Sequence, residues 1–437
     1  GGARGQAGKI YLSRGNAEFG AIDNPAFENH KEYEDTFAIF ADINGNALPD
    51  LIVGSGGNRP ELAREMYQTR IYLNEGNGKF SNSGQLLPST GHNTAVIAAE
   101  DFDGDGDIDL VIGRRSVPGI YGINPDHLLL ENDGKGNFSD VTNSKAYFLK
   151  DLGMLTDAKW VDFNNDERPD LVLTGDWMAP QVYLNKETGF EKMQASGLDN
   201  FKGAWSGLGV ADLNGNGHPD LILGNRGTNS FFQASEETPA RVFINDFDEN
   251  GTIEQIFTQS INGKDVPIHL RRELAGQISA IKKQNLKFSE YATRDITQLF
   301  SEEVIENSIQ KEITEFQSVI AWNNGDGSFS IEPLPGPAQF SSIKAIELIE
   351  DDMGKFHIIA GGNDFDLKPQ FSRLDASRGL WLQADAQGNY QLKSKKESGF
   401  NIKGQVRQIR QLKNAKGETY LIFGINNDQA QIYKLKL

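Results

Sequence analysis

Five aspartates on alternate positions, Asp101, Asp103, Asp105, Asp107 and Asp109, constrain this chain more than any other feature. They sit in the stretch AAEDFDGDGDIDLVIG, residues 98–113, with Gly104 and Gly106 between three of them. Carboxylates packed this closely repel one another unless a cation sits among them. Hard oxygen ligands at alternating positions, with glycine where the chain turns sharply, form the opening of a calcium loop. An EF-hand would place helices on both sides and a glutamate at the twelfth position. Here the flanks, Val96-Ile97-Ala98 and Leu110-Val111-Ile112, are β-formers, and the last acidic ligand falls at the ninth position, Asp109. The stretch reads as a calcium loop joining two strands of a hairpin.

The stretch recurs. Residues 40–54 read FADINGNALPDLIVG, residues 160–175 WVDFNNDERPDLVLTG and residues 210–224 VADLNGNGHPDLILG, with a looser copy, INDFDENGTIEQIF, at 244–257. Their spacing of about 35 to 60 residues is that of stacked supersecondary units. Each unit runs strand, Asp loop, strand, then an aromatic strand and a short hairpin ending in Gly-x-Phe, as in EGNGKFS (75–81) and NDGKGNFSDV (132–141). Four short antiparallel strands with such turn signals describe a blade of a β-propeller. The pattern predicts an all-β chain, one seven-bladed propeller over residues 1–437. Its blades are expected near 36–81, 94–142, 156–192, 206–235, 240–332, 342–393 and 404–437, the last closed by residues 9–20. Residues 262–316 break the script. Leu299, Val304, Ile305, Ile309 and Ile313 recur at helical spacing, which predicts a helical insertion within the fifth blade.

Composition narrows the function classes. Cysteine is absent, so neither disulfides nor thiol chemistry contribute. The formal net charge is −18, the reverse of the basic footprint expected of a nucleic-acid binder. No apolar run is long enough to span a bilayer as a helix. The opening GGARGQAGK carries neither a starting Met nor an apolar signal core and is read as the cut end of a longer multidomain chain.

Positions 1, 3, 5 and 9 of each loop offer side-chain oxygens and position 7 a carbonyl. The ligand sets are Asp42, Asn44, Asn46 and Asp50; Asp101, Asp103, Asp105 and Asp109; Asp162, Asn164, Asp166 and Asp170; Asp212, Asn214, Asn216 and Asp220; and Asp246, Asp248, Asn250 and Glu254. Carboxylate number grades calcium affinity, which ranks the Asp101 loop first and makes the fifth, with Glu254, the least regular. The alternative is that these loops stand as Asx-rich turns without metal. Weak exposed sites of this kind fill in extracellular calcium, which points to an exported, cell-surface protein.

The repeated D-x-[DN]-x-[DN]-x-x-x-[DE] loop followed by DLIVG resembles the FG-GAP, or VCBS, repeat of the integrin α-subunit propeller. Segments such as RRSVPGIYGINPDHLLLENDGKGNFSDVT (114–142), GNRGTNSFFQAS (224–235) and GGNDFDLKPQFSRLDASRGL (361–380) resemble the C-terminal propeller of large Bacteroidetes-type VCBS/ASPIC-UnbV proteins. That resemblance implies a metal-stabilised propeller more firmly than it implies an activity.

In the blade script all Asp loops share one face, and the long connections from second to third strands open on the other. Those connections, with the insertion, carry Arg114, Arg115, Trp177, Arg226, Asn229, Arg271, Arg272 and Arg373, beside Phe231 and Phe232. Forked guanidinium donors and flat rings suit an acidic or sugar ligand, or a protein partner at the cell surface. The plainer alternative is that these arginines pin long loops. No zinc spacing, nucleophile elbow or phosphate loop appears, so the chain is expected not to be an enzyme. The runner-up is a carbohydrate-active enzyme of the polysaccharide-lyase kind, or its sugar-binding domain.

Overall fold

The computed structural model describes every residue except 16–17, 195–196, 415 and 437. Short β-branched and aromatic runs, cut by Asp loops and Gly turns, pair almost wholly antiparallel. Four strands in sequence order make blade 1, Asp35–Ala41, Asp50–Ser55, Arg70–Asn74 and Phe80–Asn82. Blade 2 comprises Asn93–Glu100, Asp109–Ser116, Leu128–Asn132 and Phe138–Asp140, and blade 3 Met154–Val161, Asp170–Met178, Gln181–Lys186 and Gly189–Lys192. In blade 4, Gly207–Ala211 and Asp220–Gly224 are followed by Val319–Asn323 and Phe329–Pro333. Blade 5 is Ile343–Glu350, Phe356–Gly362, Leu380–Ala384 and Tyr390–Leu392. Blade 6 has three strands, Val406–Lys413, Thr419–Ile425 and Gln431–Lys434.

First strands pack against one another in succession from blade 1 to blade 6, which puts them innermost. The core is therefore a set of layers between blades rather than one central mass. Ile52 and Ile71 meet Ile97 and Ile112 between blades 1 and 2, while Val111 and Leu129 meet Leu155 and Leu171 between blades 2 and 3. Similar layers join blades 3 to 4, 4 to 5 and 5 to 6. Each fully buried aliphatic side chain in such a layer contributes about 1.5–3 kcal/mol. Blade spacing is tight enough to require the glycine that ends the DLVIG run. A Cβ on Gly113 would lie 2.5 Å from Val96 Cγ1 and 3.3 Å from Leu155 Cδ1 of the next blade.

Two expectations are corrected. The expected fifth blade, 240–332, does not exist as one sheet. Ala240–Asn245 and Glu254–Ile261 pair with Ile309–Ile313 and Lys264–Pro267 in a separate four-stranded sheet. Val319–Asn323 instead pairs with the second strand of blade 4, Leu221 opposite Ala321, so blade 4 is split by an excursion between residues 224 and 319 rather than ending near 235. The interval from Asp212 to Asp246 is too short to hold two more strands of blade 4, and the repeat was counted where only its hairpin is present. Five short helices, Arg271–Gln277, Ser279–Gln284, Phe288–Tyr291, Ile296–Leu299 and Glu302–Glu306, belong to this excursion and pack on Phe243, Phe247 and Ile256 of its sheet.

The second correction concerns closure. The hairpin Ile10–Gly15 and Glu18–Ile22 forms a two-stranded sheet of its own and does not complete the sheet of 406–434. It lies with the helix Pro25–Glu28 against blade 1, where Phe27 packs on Leu51, Val53, Tyr72 and Phe80. Residues 16–17, 415 and 437 of the expected closing blade lie outside the described residues. Among the described residues no helix is long and apolar enough to cross a membrane.

Candidate functional site

The Asp loops of blades 1 to 4 join first to second strands and lie on one face, as the repeat implies. Their ninth positions are the buried anchors. Asp50, Asp109, Asp170 and Asp220 are at most 1% exposed. In each, one carboxylate oxygen accepts the N–H of the second loop residue (Ile43, Phe102, Phe163, Leu213). The other accepts the N–H of an asparagine ending the third strand (Asn74, Asn132, Asn185, Asn323). The amides of Asn132 and Asn185 also donate to Ile43 O and Phe102 O of the preceding loop, at 2.8 and 2.6 Å, bolting one blade to the next. First-position aspartates accept N–H groups of the turn, as Asp101 does from Gly104, Asp105 and Gly106.

Burial pushes the Asp109 carboxyl up to about 7, Asp103 and Asp105 adding repulsion against the backbone bonds from Asn132 and Phe102. Burial raises Asp220 to about 6 by the same balance, and also raises Asp50 and Asp170. A cation among these oxygens would offset that cost. The donors fit a hard divalent ion, being carboxylates and amide oxygens converging on one turn. Oxygens of Asp101, Asp103 and Asp109 lie within 4.8 Å of one another, as do those of Asp246, Asp248 and Glu254. The latter set repeats the loop geometry, with Phe247 N–H donating to Glu254, but on the excursion's hairpin rather than in a blade. Local cations take part of the work: Lys145 bridges Asp103 and Glu131 at 3.1 and 2.8 Å, and Arg168 reaches Asp166 at 3.2 Å. Sequence spacing gave no sign of Lys145, which arrives from the segment after blade 2.

At the opposite end of the first strands a second cluster gathers. Arg115 Nε donates to Asp176 Oδ2 at 2.8 Å, and Nη2 pairs with the same oxygen at 2.8 Å. The Tyr121 hydroxyl donates to the same oxygen at 3.3 Å and accepts from Trp177 Nε1 at 3.0 Å. Trp177 sits at φ +61°, a left-handed conformation unusual for an aromatic residue and a form of local strain. Its ring and that of Tyr121 meet Phe257 of the excursion sheet at centroid distances of 5.9 and 6.2 Å. Lys344, near the start of blade 5's first strand, pairs with Asp364 at 3.5 Å. Arg226 lies over Phe232 at 4.8 Å, with Nη1 buried and lacking a hydrogen-bond partner among the described residues.

These groups act on one another electrostatically. Burial pushes Lys344 down to about 8, against the pull of Asp364. Burial raises the Asp364 carboxyl, but Lys344, Arg226 and Arg407 outweigh it and hold the group below its ordinary value. The Asp176 carboxylate raises Arg115 against the cost of burial, yet that guanidinium keeps 48% of its side-chain surface open to water. Residues from blades 2 to 6 thus form one charged cluster at this end of the first strands, with Arg115 and Arg407 open to water.

The expected arginine face is only partly assembled there. Arg115, Trp177 and Arg226 come together, joined by Tyr121, Asp176, Lys344, Asp364 and Arg407, which the sequence did not single out. Arg114 does not take part. It is 1% exposed, donates to Asp126 O, and its backbone N–H donates to His127 Nδ1, so it pins a loop. Arg271 donates to Asn285 O and stacks on Phe288 within the helices of the excursion. Arg272, exposed on the same helix, has no role in the cluster. Asn229 donates to Phe340 O, and Arg373 stacks on Phe365 at 3.6 Å beside Asp375.

The FG-GAP-like repeat family matches residues 42–112 and 162–223, which contain the Asp loops of blades 1 to 4. No curated protein matches the chain in sequence. Among solved structures, an Agrocybe aegerita lectin that recognises non-reducing terminal N-acetylglucosamine is 16% identical, over 90% of this chain and 88% of that one, with a TM-score of 0.36. The Dos1 propeller is 9% identical over 92% and 78%, with a TM-score of 0.39. An endo-arabinase from Bacteroides thetaiotaomicron is 11% identical over 92% and 93%, with a TM-score of 0.31. Backbone agreement this low transfers no ligand or activity to the present chain.

Proposed function

We propose that this chain, whose residues 42–112 and 162–223 match the FG-GAP-like repeat, is a calcium-stabilised, extracellular binding module of the β-propeller kind whose ligand docks at the axis opposite the Asp loops. The observation that supports this most is the convergence there of Arg115, Arg226, Lys344 and Arg407 from four blades, with Asp176, Asp364 and Asp366 interleaved. Arg115 ties blade 2 to blade 3 through Asp176, yet 48% of its side chain stays open to water. Guanidinium forks and an ammonium beside Tyr121 and Trp177 suit the carboxylate of an acidic glycan or of an acidic protein surface. Calcium would be held by the loop residues Asp42, Asp101, Asp162, Asp212 and Asp246 and their partners at positions 3, 5 and 9. Bound there, it neutralises the carboxylates and ties first strands to second. With the N-terminal hairpin counted as part of a blade, the ring has seven positions, six of them occupied by the blades above.

The test is binding of acidic and neutral glycans in calcium by the parent chain and by Arg115→Ala and Lys344→Ala variants. Acidic glycans retained by the parent and weakened about tenfold or more in both variants support the reading, since a charge-assisted hydrogen bond contributes about 1.5–3 kcal/mol. Equal binding by all three chains would remove this cluster from consideration. A second reading, a carbohydrate-active enzyme, is favoured by Lys344 and Lys311, because a lysine held near 8 can accept a proton. The calcium loops lie on the other face, so such chemistry would proceed without their ions.

A further inference from the structure

We propose that the N-terminal hairpin is the outer half of an incomplete blade, and that a two-stranded hairpin carrying an Asp loop, from polypeptide N-terminal to Gly1, completes it. The repeat itself aligns the halves. KIYLSRGNAEF (9–19) corresponds residue for residue to RIYLNEGNGKF (70–80), the third strand, turn and fourth strand of blade 1. The registers agree, Ser13 opposite Phe19 and Asn74 opposite Phe80.

Burial shows what is missing. Among the described residues Ile10–Gly15 has one partner strand, Glu18–Ile22, and none on the edge where a second strand lies in every four-stranded blade. Tyr11 is 59% exposed, whereas its counterparts Tyr72, Leu130 and Tyr183 are 1%, 0% and 6% exposed. Phe40, on the innermost strand of blade 1, is 57% exposed. Its counterparts Ala99, Trp160 and Val210 are half-buried in the layer shared with the preceding blade. The N-terminal segment covers blade 1 over Leu51, Tyr72 and Phe80, and leaves the first strand bare. An open strand edge beside exposed aromatic residues is a template for strand addition. The occupant is defined by this geometry: two strands of alternating apolar residues, joined by a loop of the D-x-[DN]-x-[DN] kind, one pairing with Ile10–Gly15 and the other lying over Phe40.

The experiment places a second copy of residues 36–55 directly before Gly1, which reproduces the Ser55-to-Gly56 junction of blade 1. Amide hydrogen exchange and solution size are compared for the parent chain, this fusion, and a fusion with the same residues scrambled. The inference predicts exchange slowed about tenfold or more at residues 10–15 and 36–41 in the repeat fusion alone, with all three chains monomeric. Unchanged exchange, or equal slowing by the scrambled segment, would overturn it. So would a parent chain already dimeric with those segments protected, since a second copy would then cover the edge. If the fusion does not fold, the synthetic peptide 36–55 added to the folded parent gives the same readout at residues 10–15.

Discussion

His127 shows how a single buried side chain couples this fold to pH. Its Nδ1 accepts from the Arg114 backbone N–H and its Nε2–H donates to Gly153 O, both at 3.0 Å, so the ring is held neutral. Burial, with Arg114 adding repulsion, pushes its pKa from 6.5 down to about 3. A base depressed in the folded state contributes stability above its unfolded pKa and loses it as pH falls. The chain is therefore expected to lose thermal stability between pH 6.5 and 3, part of that loss belonging to His127. Gln can replace both hydrogen bonds without a charge, so His127→Gln should flatten the acid limb of a midpoint-against-pH profile. An unchanged slope would assign the acid sensitivity elsewhere, for instance to His269, which burial pushes to about 4. At this scale the sequence was informative where spacing carries the chemistry, as in Asp101, Asp103 and Asp109. It was silent on His127, Lys145 and Lys344, whose roles arise from partners more than ten residues away in sequence or on other blades.

At the scale of elements, the blades that carry a full Asp loop and a nearby third strand were readable directly. Blade 4 was not, because its second and third strands are separated by the whole excursion, and the loop at Asp246 imitates a blade on a hairpin that lies outside the series. Helical periodicity between 262 and 316 pointed to the helices, while Lys264–Pro267 and Ile309–Ile313 were strands hidden at its ends. The layers between blades tolerate little extra volume. Gly113→Val would drive side-chain carbons into Val96 and Leu155, and overpacking of this kind costs about 1–3 kcal/mol. A lowered denaturation midpoint at unchanged slope is the expected result, and a midpoint equal to the parent's would show that blades 2 and 3 can separate without penalty.

For the whole molecule, the net charge of −18 and the repeated acid loops pose one electrostatic problem, and the account rests on calcium as its solution. Carboxylates at positions 1 and 9 order the loop between first and second strands in blades 1 to 4, and Asn132 and Asn185 carry that order to the neighbouring loop. A ligand bound only by the folded chain raises its midpoint, the stabilisation growing with the logarithm of ligand concentration above Kd. The most direct measurement is thermal unfolding in millimolar calcium, after EGTA, and after re-addition of calcium or magnesium, repeated on the Asp101→Asn/Asp162→Asn double variant. The account predicts a midpoint that falls by several degrees with EGTA, recovers with calcium and not with magnesium, and falls less in the variant. A parent midpoint indifferent to EGTA would contradict it, leaving the loops as turns held by their own backbone hydrogen bonds.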